Sequence, residues 1–522
     1  MTLRELIAGA GSDFASLLRR NGGSGQGSSK SDLGVELTDL AYRADDVSAG
    51  SLFFCVRGFT ADGHDFAQQA VAGGAAALVC DRTLGLGVPE LLVEDVRTAM
   101  PLLATSFFGN PTRELDLVGI TGTNGKTTTA FLVREILERA GRQTGLLGTV
   151  HSVVGGTVEE VVRTTPESID LQRTFRRMVD AGDRACVMEV SSHALELRRV
   201  DGSHFDCAVF TNLTQDHLDF HESLEEYFGA KRRLFVGHST TTPRVPVVNA
   251  DDSWGLRLLE ELAAAGHPNA VTFGLEGDAD FRAEGIELRA DGSRFTCKSG
   301  KKTVDATLPL PGLFNIYNAL GAVAAASVLG VARETALAAI AEAGRVPGRF
   351  EPIDEGQQFT VLVDYAHTPD SLASVLETAR ELLKQAGRGR LLCVFGAGGD
   401  RDRDKRPLMG EAARRLADHV IVTSDNPRSE DPDAIIAAIV EGATRIAEQE
   451  SLASTLEIEP DRRAAIARAL ALAEPDDIVM IAGKGHEQGQ EFEGGRKIPF
   501  DDRDVAREEL RALARPTARP AA

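Results

Sequence analysis

Short apolar runs alternate with longer amphipathic stretches along most of this chain, which predicts strands and helices in turn. Residues 1 to 20 carry a helical period. From about 36 to 110, the runs Ser51–Val56, Ala76–Val79 and Leu91–Val93 predict strands with helices between them. Asn110-Pro-Thr-Arg113 is a turn-rich boundary. After it, strands are expected at Leu115–Ile120, Cys186–Val190, Ala208–Thr211, Val245–Asn249 and Ala270–Phe273. Residues 280 to 310, with Ser293–Lys298, alternate as an extra β-rich segment. A second boundary falls near Gly344–Phe350. Beyond it come strands at Val361–Asp364, Leu391–Phe395, Val420–Thr423 and Ile478–Ala482. Apolar runs without alternation, separated by helices, describe parallel sheets covered on both faces. No internal repeat is visible. Asn21–Ser29 has the composition of a flexible linker, and Arg515–Ala522 that of a disordered tail.

Composition narrows the picture only a little. A length of 522 residues suggests about three domains. The net charge of −21 argues against a nucleic-acid surface, which needs a basic stripe. Six cysteines without paired spacing, several inside apolar runs, read as buried reduced thiols. Neither a long apolar leader nor a spanning segment is present, so a cytoplasmic protein with no membrane insertion is expected.

The chemistry starts at the end of Leu115–Ile120. There the chain reads GTNGKTT over residues 122–128, then a helical pattern from Thr127 to Ala140. Strand, glycine-rich turn and helix form a phosphate loop: backbone N–H groups and the helix N-terminus attract an anion. Lys126 would meet the β- and γ-phosphates, and the Thr127 hydroxyl would sit on Mg²⁺. The generic loop has a glycine where this chain has Ile120, so this is a shorter variant. Glu189 ends a strand and is placed either to bind Mg²⁺ or to cap the next helix. TNLTQDHLDFH at 211–221 crowds acids and histidines at another strand end, which sets His217 near metal or phosphate. By periodicity alone, Lys231 is a solvent-facing lysine on a helix. Asn318 suits either an adenine edge or a helix cap. DYAHTPD at 364–370, the charged turn Gly396–Arg406, SDNPR at 424–428 and GKGHE at 483–487 mark further strand ends. So many polar strand ends in two α/β units predict one cleft between domains.

These motifs in this order, with EVSSH at 189–193 and YFGAKRRLF at 227–235, resemble those of the Mur ligases, ATP-dependent amide ligases of cell-wall peptide assembly. The resemblance covers nearly the whole chain. DNPR at 425–428 is the signature of the branch that adds meso-diaminopimelate to UDP-N-acetylmuramoyl-L-Ala-D-Glu. It implies an α/β protein of three domains. These are a small α/β N-terminal domain for the UDP-sugar (1–112), a central parallel-sheet P-loop ATPase domain (113–345) and a C-terminal Rossmann-like domain for the amino acid (346–522). Gly122, Thr123, Asn124, Gly125, Lys126, Thr127, Thr128, Asn318, Arg349 and Asp364 are implied to bind ATP. Thr127, Glu189, His217 and a carbamylated Lys231 would hold Mg²⁺, two ions being expected. Lys126, Glu189, His217 and Lys231 are the implied catalytic set. Phe59, Thr60, Ala61, Thr164, Thr165, Ser191 and Arg199 would grip the UDP-sugar peptide. Arg401, Asp425, Asn426, Pro427, Arg428, Gly483 and Glu487 would hold diaminopimelate. A monomer is expected. The chain departs from the family pattern at Arg43-Ala-Asp45, where Asp-Ser-Arg is usual, and at Leu197, where glutamine is usual. The competing readings are a lysine-adding ligase, a folylpolyglutamate synthase on the same scaffold, and an inactive nucleotide-binding scaffold.

Overall fold

Every apolar run named above forms a strand, with ends shifted by a residue or two. The structure, a computed structural model, describes residues 1–19, 33–59, 61–236, 242–267 and 269–514. The expected linker at 21–29, the expected tail at 515–522 and the candidate residue Thr60 lie outside these.

The N-terminal sheet has four parallel strands in chain order: Asp39–Ala41, Ser51–Phe54, Ala77–Cys80 and Glu90–Leu92. Both of its faces are covered. Leu52 and Phe54 point into one core with Leu3, Leu6 and Phe14, while Phe53 and Cys55 point into another with Ala67 and Ala70. The single helix expected over residues 1 to 20 is instead two, Leu3–Gly9 and Gly11–Leu17, meeting at Ala10.

A second sheet has eleven strands. Its central order is Val245–Asn249, Cys207–Phe210, Asp116–Thr121, Ala185–Glu189, Thr144–Leu147. The segment after residue 280 folds as three strands, Phe281–Arg289, Gly292–Ser299 and Lys302–Leu308, paired antiparallel. The hairpin Ser152–Val154 and Thr157–Glu159 forms the other end. This sheet is therefore mixed rather than wholly parallel, because short turns join its outer strands and only antiparallel pairing allows that.

The C-terminal sheet has six strands: Glu351–Ile353, Thr360–Asp364, Ile478–Ala482, Leu391–Phe395, His419–Val422 and Thr455–Ile458. All pairs are parallel except the first. Leu391, Cys393 and Phe395 face one core and Leu392 and Val394 the other, the period-two signature of a strand buried on both sides.

The chain divides into two compact units. One comprises Met1–Gly119, Gly141–Ala208 and Ala230–Val245; the other comprises Ile120–Ala140, Val209–Gly229 and Pro246–Ala522. All six cysteines are buried and unbridged. Among the described residues, no helix is long and apolar enough to cross a membrane.

One buried ion pair stands out in the second unit. The Arg462 Nε and Nη2 donate to the two Asp502 oxygens at 2.8 and 2.7 Å, with both side chains fully buried. Nη2 also donates to the Ala482 carbonyl at 2.9 Å. Removing one partner of such a pair strands a buried charge. Asp502→Asn should therefore lower the unfolding free energy by about 3–5 kcal/mol, measured by urea denaturation; a loss below about 1 kcal/mol would contradict this account.

Candidate active site

The phosphate loop is built by close approach. It connects Asp116–Thr121 to the helix Lys126–Arg139, which starts one residue earlier than the sequence pattern suggests. Gly122 has φ 150° and Gly125 has φ 85°. A Cβ on Gly122 would lie 1.9 Å from Thr211 Oγ1, and one on Gly125 would lie 2.3 Å from Asn318 Oδ1. Neither position accepts a side chain. The strand end after Cys207–Phe210 braces the loop. The Thr123 N–H donates to the Asn212 carbonyl (2.9 Å), and the Asn124 N–H donates to Asn212 Oδ1 (2.9 Å). The Thr211 hydroxyl donates to the Asn124 carbonyl (2.6 Å), and the Thr214 N–H donates to Thr123 Oγ1 (3.0 Å). Thus TNLT, which reads as a polar strand end in the sequence, is the loop's support.

The charged groups of the loop are held in place. Lys126 Nζ donates to the carbonyls of Gly122 (2.9 Å) and Thr123 (2.8 Å). Arg349 Nη2 donates to Thr127 Oγ1 at 3.0 Å, and its guanidinium lies 4.5 Å over the Tyr365 ring. Thr128 is buried. Asn318 lies inside the helix Leu313–Val328, whose N-cap is Gly312, so it is not a cap. It accepts from the Thr129 hydroxyl at 3.3 Å. Asp364 accepts the Phe350 N–H at 2.6 Å; burial raises its carboxyl pKa against the pull of Arg349. Asn124 Nδ2 donates to Asp370 at 2.9 Å.

His217 sits at φ 58° beside a buried charge cluster. Its Nε2 is 3.4 Å from Asp216 Oδ2, which His367 Nε2 approaches to 3.6 Å. Lys405 Nζ donates to Asp216 Oδ1 at 3.1 Å, and both side chains are about 95% buried. Burial opposes ionisation of Asp216, but His217, Lys405 and His367 outweigh it and hold its pKa well below the usual carboxylate value. Lys405 was hidden in the sequence among the charges of Gly396–Arg406.

At the ends of the C-terminal strands, Asn426 Nδ2 donates to Glu487 Oε2 (2.8 Å), and Lys484 Nζ donates to Asn426 Oδ1 (2.8 Å) and Glu487 Oε2 (3.0 Å). Asp425 is buried with Lys484 at 3.9 Å and Arg462 at 4.0 Å. Arg428 has φ 51°; its Nε donates to Glu491 (3.0 Å) and its Nη1 to the Gly399 carbonyl (2.7 Å). Pro427 and Gly483 are buried beside them, whereas Arg401 is exposed and donates to its neighbour Asp400. Lys484 and Arg462 are the partners that the sequence reading missed; a buried lysine leaves no periodic signal.

In the other unit, Glu189 does not cap the following helix. It accepts from the Thr149 N–H (2.8 Å) and hydroxyl (3.0 Å), while Ser191 is the N-cap of Ser192–Glu196. The Thr164 hydroxyl is 3.2 Å from that of Thr149. The Thr165 hydroxyl donates to the Glu189 carbonyl (2.9 Å), and Arg199 Nη1 donates to the Thr165 carbonyl (3.1 Å). Thr164, Thr165, Ser191, Arg199 and Glu189 therefore form one connected group. Lys231 is 1% exposed, which overturns the solvent-facing reading. Phe59 is 78% exposed in a tight loop where the Gly58 N–H donates to the Ala61 carbonyl. At the two departures, Arg43 pairs with Asp46 on the surface and Leu197 is the C-cap of Ser192–Glu196.

Three family models match the chain: "Mur ligase family, catalytic domain" at residues 37–104, "Mur ligase middle domain" at 120–326, and "Mur ligase, glutamate ligase domain" at 348–485. A UDP-N-acetylmuramoyl-L-alanyl-D-glutamate–2,6-diaminopimelate ligase of Bacillus cereus is 46% identical over 91% of this chain and 94% of its own length. One of Geobacillus kaustophilus is 48% identical over 88% and 92%. A solved structure of a ligase of that name is 32% identical, covering 91% of this chain and 95% of its own, with a TM-score of 0.63. A MurF ligase of Thermotoga maritima in complex with ADP is 19% identical and shares the fold at a TM-score of 0.58 over 91% and 96%.

The Asp216 cluster makes a pH-dependent prediction. A carboxyl whose folded pKa is depressed adds stability above its unfolded pKa of about 4, and that stability fades as pH falls below it. Asp216→Asn should cost roughly 3 kcal/mol at neutral pH, from the loss of one partner of a buried pair. The difference from wild type should shrink below about pH 4. Denaturant titrations across pH check this; a difference independent of pH would refute the ionic account.

Proposed function

The chain belongs to the Mur ligase family, and from that premise we propose that it joins 2,6-diaminopimelate to UDP-N-acetylmuramoyl-L-Ala-D-Glu at the expense of ATP, in peptidoglycan precursor synthesis. The observation that carries this reading is the placement of the motifs. The groups at 122–128, 189–193, 211–221, 364–370, 425–428 and 483–487 each lie at the carboxyl end of a strand, where open α/β sheets bind ligands. We place domain boundaries near residues 112 and 345, in the gaps between the family matches. Six buried free thiols suit a reducing cytoplasm.

A carboxylate is a poor acyl donor, so the reaction proceeds in two steps. The D-Glu γ-carboxylate oxygen attacks the γ-phosphorus of ATP; the bond to ADP breaks and an acyl phosphate forms. The diaminopimelate amine then attacks the acyl carbon, the bond to phosphate breaks, and a proton leaves the new amide. Gly122–Thr128 cradles the triphosphate, with the N-terminus of the helix Lys126–Arg139 turned to it while Asn212 holds the N–H groups of Thr123 and Asn124. On nucleotide binding, Lys126 exchanges its two carbonyl acceptors for phosphate oxygens and offsets charge in the transferring group. Asn318 and Asp364 address the adenosine. Arg349, already on Thr127, steadies the phosphate side. Thr164, Thr165, Ser191 and Arg199, with Phe59, Thr60 and Ala61, orient the UDP-sugar peptide.

Among the described residues, no three His, Cys, Asp or Glu side chains are grouped to hold a metal ion by themselves. The donor set nevertheless suits Mg²⁺, which takes few protein oxygens and completes its shell with phosphate and water. Thr127 and Glu189 would hold one ion and His217 a second, with Lys231 supporting Mg²⁺ as a carbamate, since an ammonium repels a cation and this one is buried. When bound, the ions supply positive charge to the phosphoryl oxygens. The carbamate is testable apart from catalysis. Labelled bicarbonate should give a carbamate carbon resonance in wild type and none in Lys231→Arg; its absence from active wild-type enzyme would remove the assignment.

Arg428 distinguishes this reading from a lysine-adding ligase or a folylpolyglutamate synthase. Its guanidinium suits the extra carboxylate of diaminopimelate, with Arg401, Asp425, Asn426 and Glu487 addressing the amino-acid end. Lysine lacks that carboxylate and would leave the guanidinium only Glu491 and the Gly399 carbonyl. Phosphate release with UDP-N-acetylmuramoyl-L-Ala-D-Glu should depend on diaminopimelate, with kcat/KM at least about a hundredfold above that for L-lysine. Arg428→Ala should raise KM for diaminopimelate while sparing KM for ATP. Equal use of the two amino acids would overturn the substrate assignment, and no substrate-dependent phosphate release would indicate an inactive scaffold.

A further inference from the structure

Three guanidinium groups converge on one carboxylate in the first unit. Glu167 precedes the helix Ser168–Asp180 and makes no capping hydrogen bond. It lies 2.9 Å from Arg199 Nη2, 3.2 Å from Arg163 Nη1 and 3.5 Å from Arg97 Nη1. Arg97 projects from the helix Val96–Phe107 and also donates to the Arg57 carbonyl at 3.3 Å, at the base of the loop that exposes Phe59. Arg163 and Glu167 bracket the two threonines already assigned to the peptide substrate. The cluster thus holds three cations against one anion.

Arg199 Nε is buried and makes no hydrogen bond, and Arg97 Nη1, also buried, has only its 3.5 Å ion pair with Glu167. Buried N–H groups left this way are costly and rare in finished cores. Burial lowers the pKa of Arg199; Glu167 opposes that shift, while Arg163 and Arg97 add to it. Three guanidiniums this close are stable only with anionic company, and one carboxylate supplies only part of it. Glu167 neither caps its helix nor pairs with one dedicated arginine, so it fits the part of an internal substitute anion.

We propose that Arg97 and Arg163 act with Arg199 as an oxyanion-binding set for the UDP-sugar peptide, and that Glu167 keeps the set assembled until the substrate arrives. The inference rests on the substrate reading above. The oxyanion is either the free α-carboxylate of the D-glutamyl end or the diphosphate of the nucleotide. Both present paired oxygens to guanidinium forks.

Calorimetric titration of the full chain tests this without turnover, using UDP-N-acetylmuramoyl-L-Ala-D-Glu, its D-isoglutamine analogue with an α-carboxamide, and UDP-N-acetylmuramic acid. Arg97→Gln and Arg163→Gln should each weaken binding of the dipeptide substrate about tenfold or more, with Arg163→Lys recovering part of the loss. In steady-state assays the loss should fall on KM for this substrate rather than on kcat. If the α-carboxylate is the ligand, the analogue binds wild type about tenfold more weakly and the arginine variants lose nothing further with it. If the diphosphate is the ligand, the same losses appear with UDP-N-acetylmuramic acid. Glu167→Gln should bind the substrate more tightly than wild type. Arg163 is half-exposed, so its variants keep the test sound should Arg97→Gln not fold. Both glutamine variants binding within twofold of wild type would overturn the proposal and leave the substrate reading intact. Wild type that neither binds nor ligates the dipeptide substrate would remove both.

Discussion

The loop at Gly122–Thr128 is shaped by the close approach of its backbone to two side chains from distant parts of the chain. Thr211 stands where a side chain on Gly122 would be, and Asn318 where one on Gly125 would be. That proximity sets the positions of the strand end after Cys207–Phe210 and of the helix Leu313–Val328. It also keeps side-chain bulk off the start of the helix Lys126–Arg139, the end that attracts an anion, while the N–H groups of Thr123 and Asn124 are held by Asn212. Hydrogen bonds donated by Thr211 and Thr214 and accepted by Asn212 then hold the loop in one shape before any ligand arrives. Preorganisation of this kind removes the cost of ordering a loop at the moment of binding.

Charge is handled in the same economical way. The chain carries a net −21, yet several of its buried acids are paired with buried cations. Asp216 has Lys405, Asp425 has Lys484 and Arg462, and Asp502 has Arg462. Where the matching is partial, around Glu167, the excess is positive and lies among residues assigned to anionic substrates. An internal carboxylate in such a place keeps long cationic side chains ordered and leaves them available to a better-shaped anion.

Much of this was legible in the sequence. Strands buried on both faces announce themselves as unbroken apolar runs, and Leu391–Phe395 and Ile478–Ala482 appear with the bounds expected for them. Strands such as Asp39–Ala41 and Thr144–Leu147 were not foreseen: the first is short, and the second is half glycine and threonine. Lys231 was misread by periodicity, because a helix buried on most sides hides a lysine as readily as a leucine. Asn318 stayed ambiguous between cap and ligand until the helix start at Leu313 excluded the cap.

By itself the sequence determined the principal buried strands in their order, the place of the phosphate loop and the motifs at the strand ends. These depend on neighbours a few residues apart, through period, turn chemistry and the need of an apolar run for burial. Only the tertiary structure decided which groups meet. Thr211 under Gly122, Lys405 on Asp216, Thr149 on Glu189, and Arg97 with Arg163 and Arg199 around Glu167 join residues from separate elements. No local pattern encodes such pairs. They exist because packing layers brings distant side chains within a few ångströms, where a buried charge or hydroxyl must find a partner.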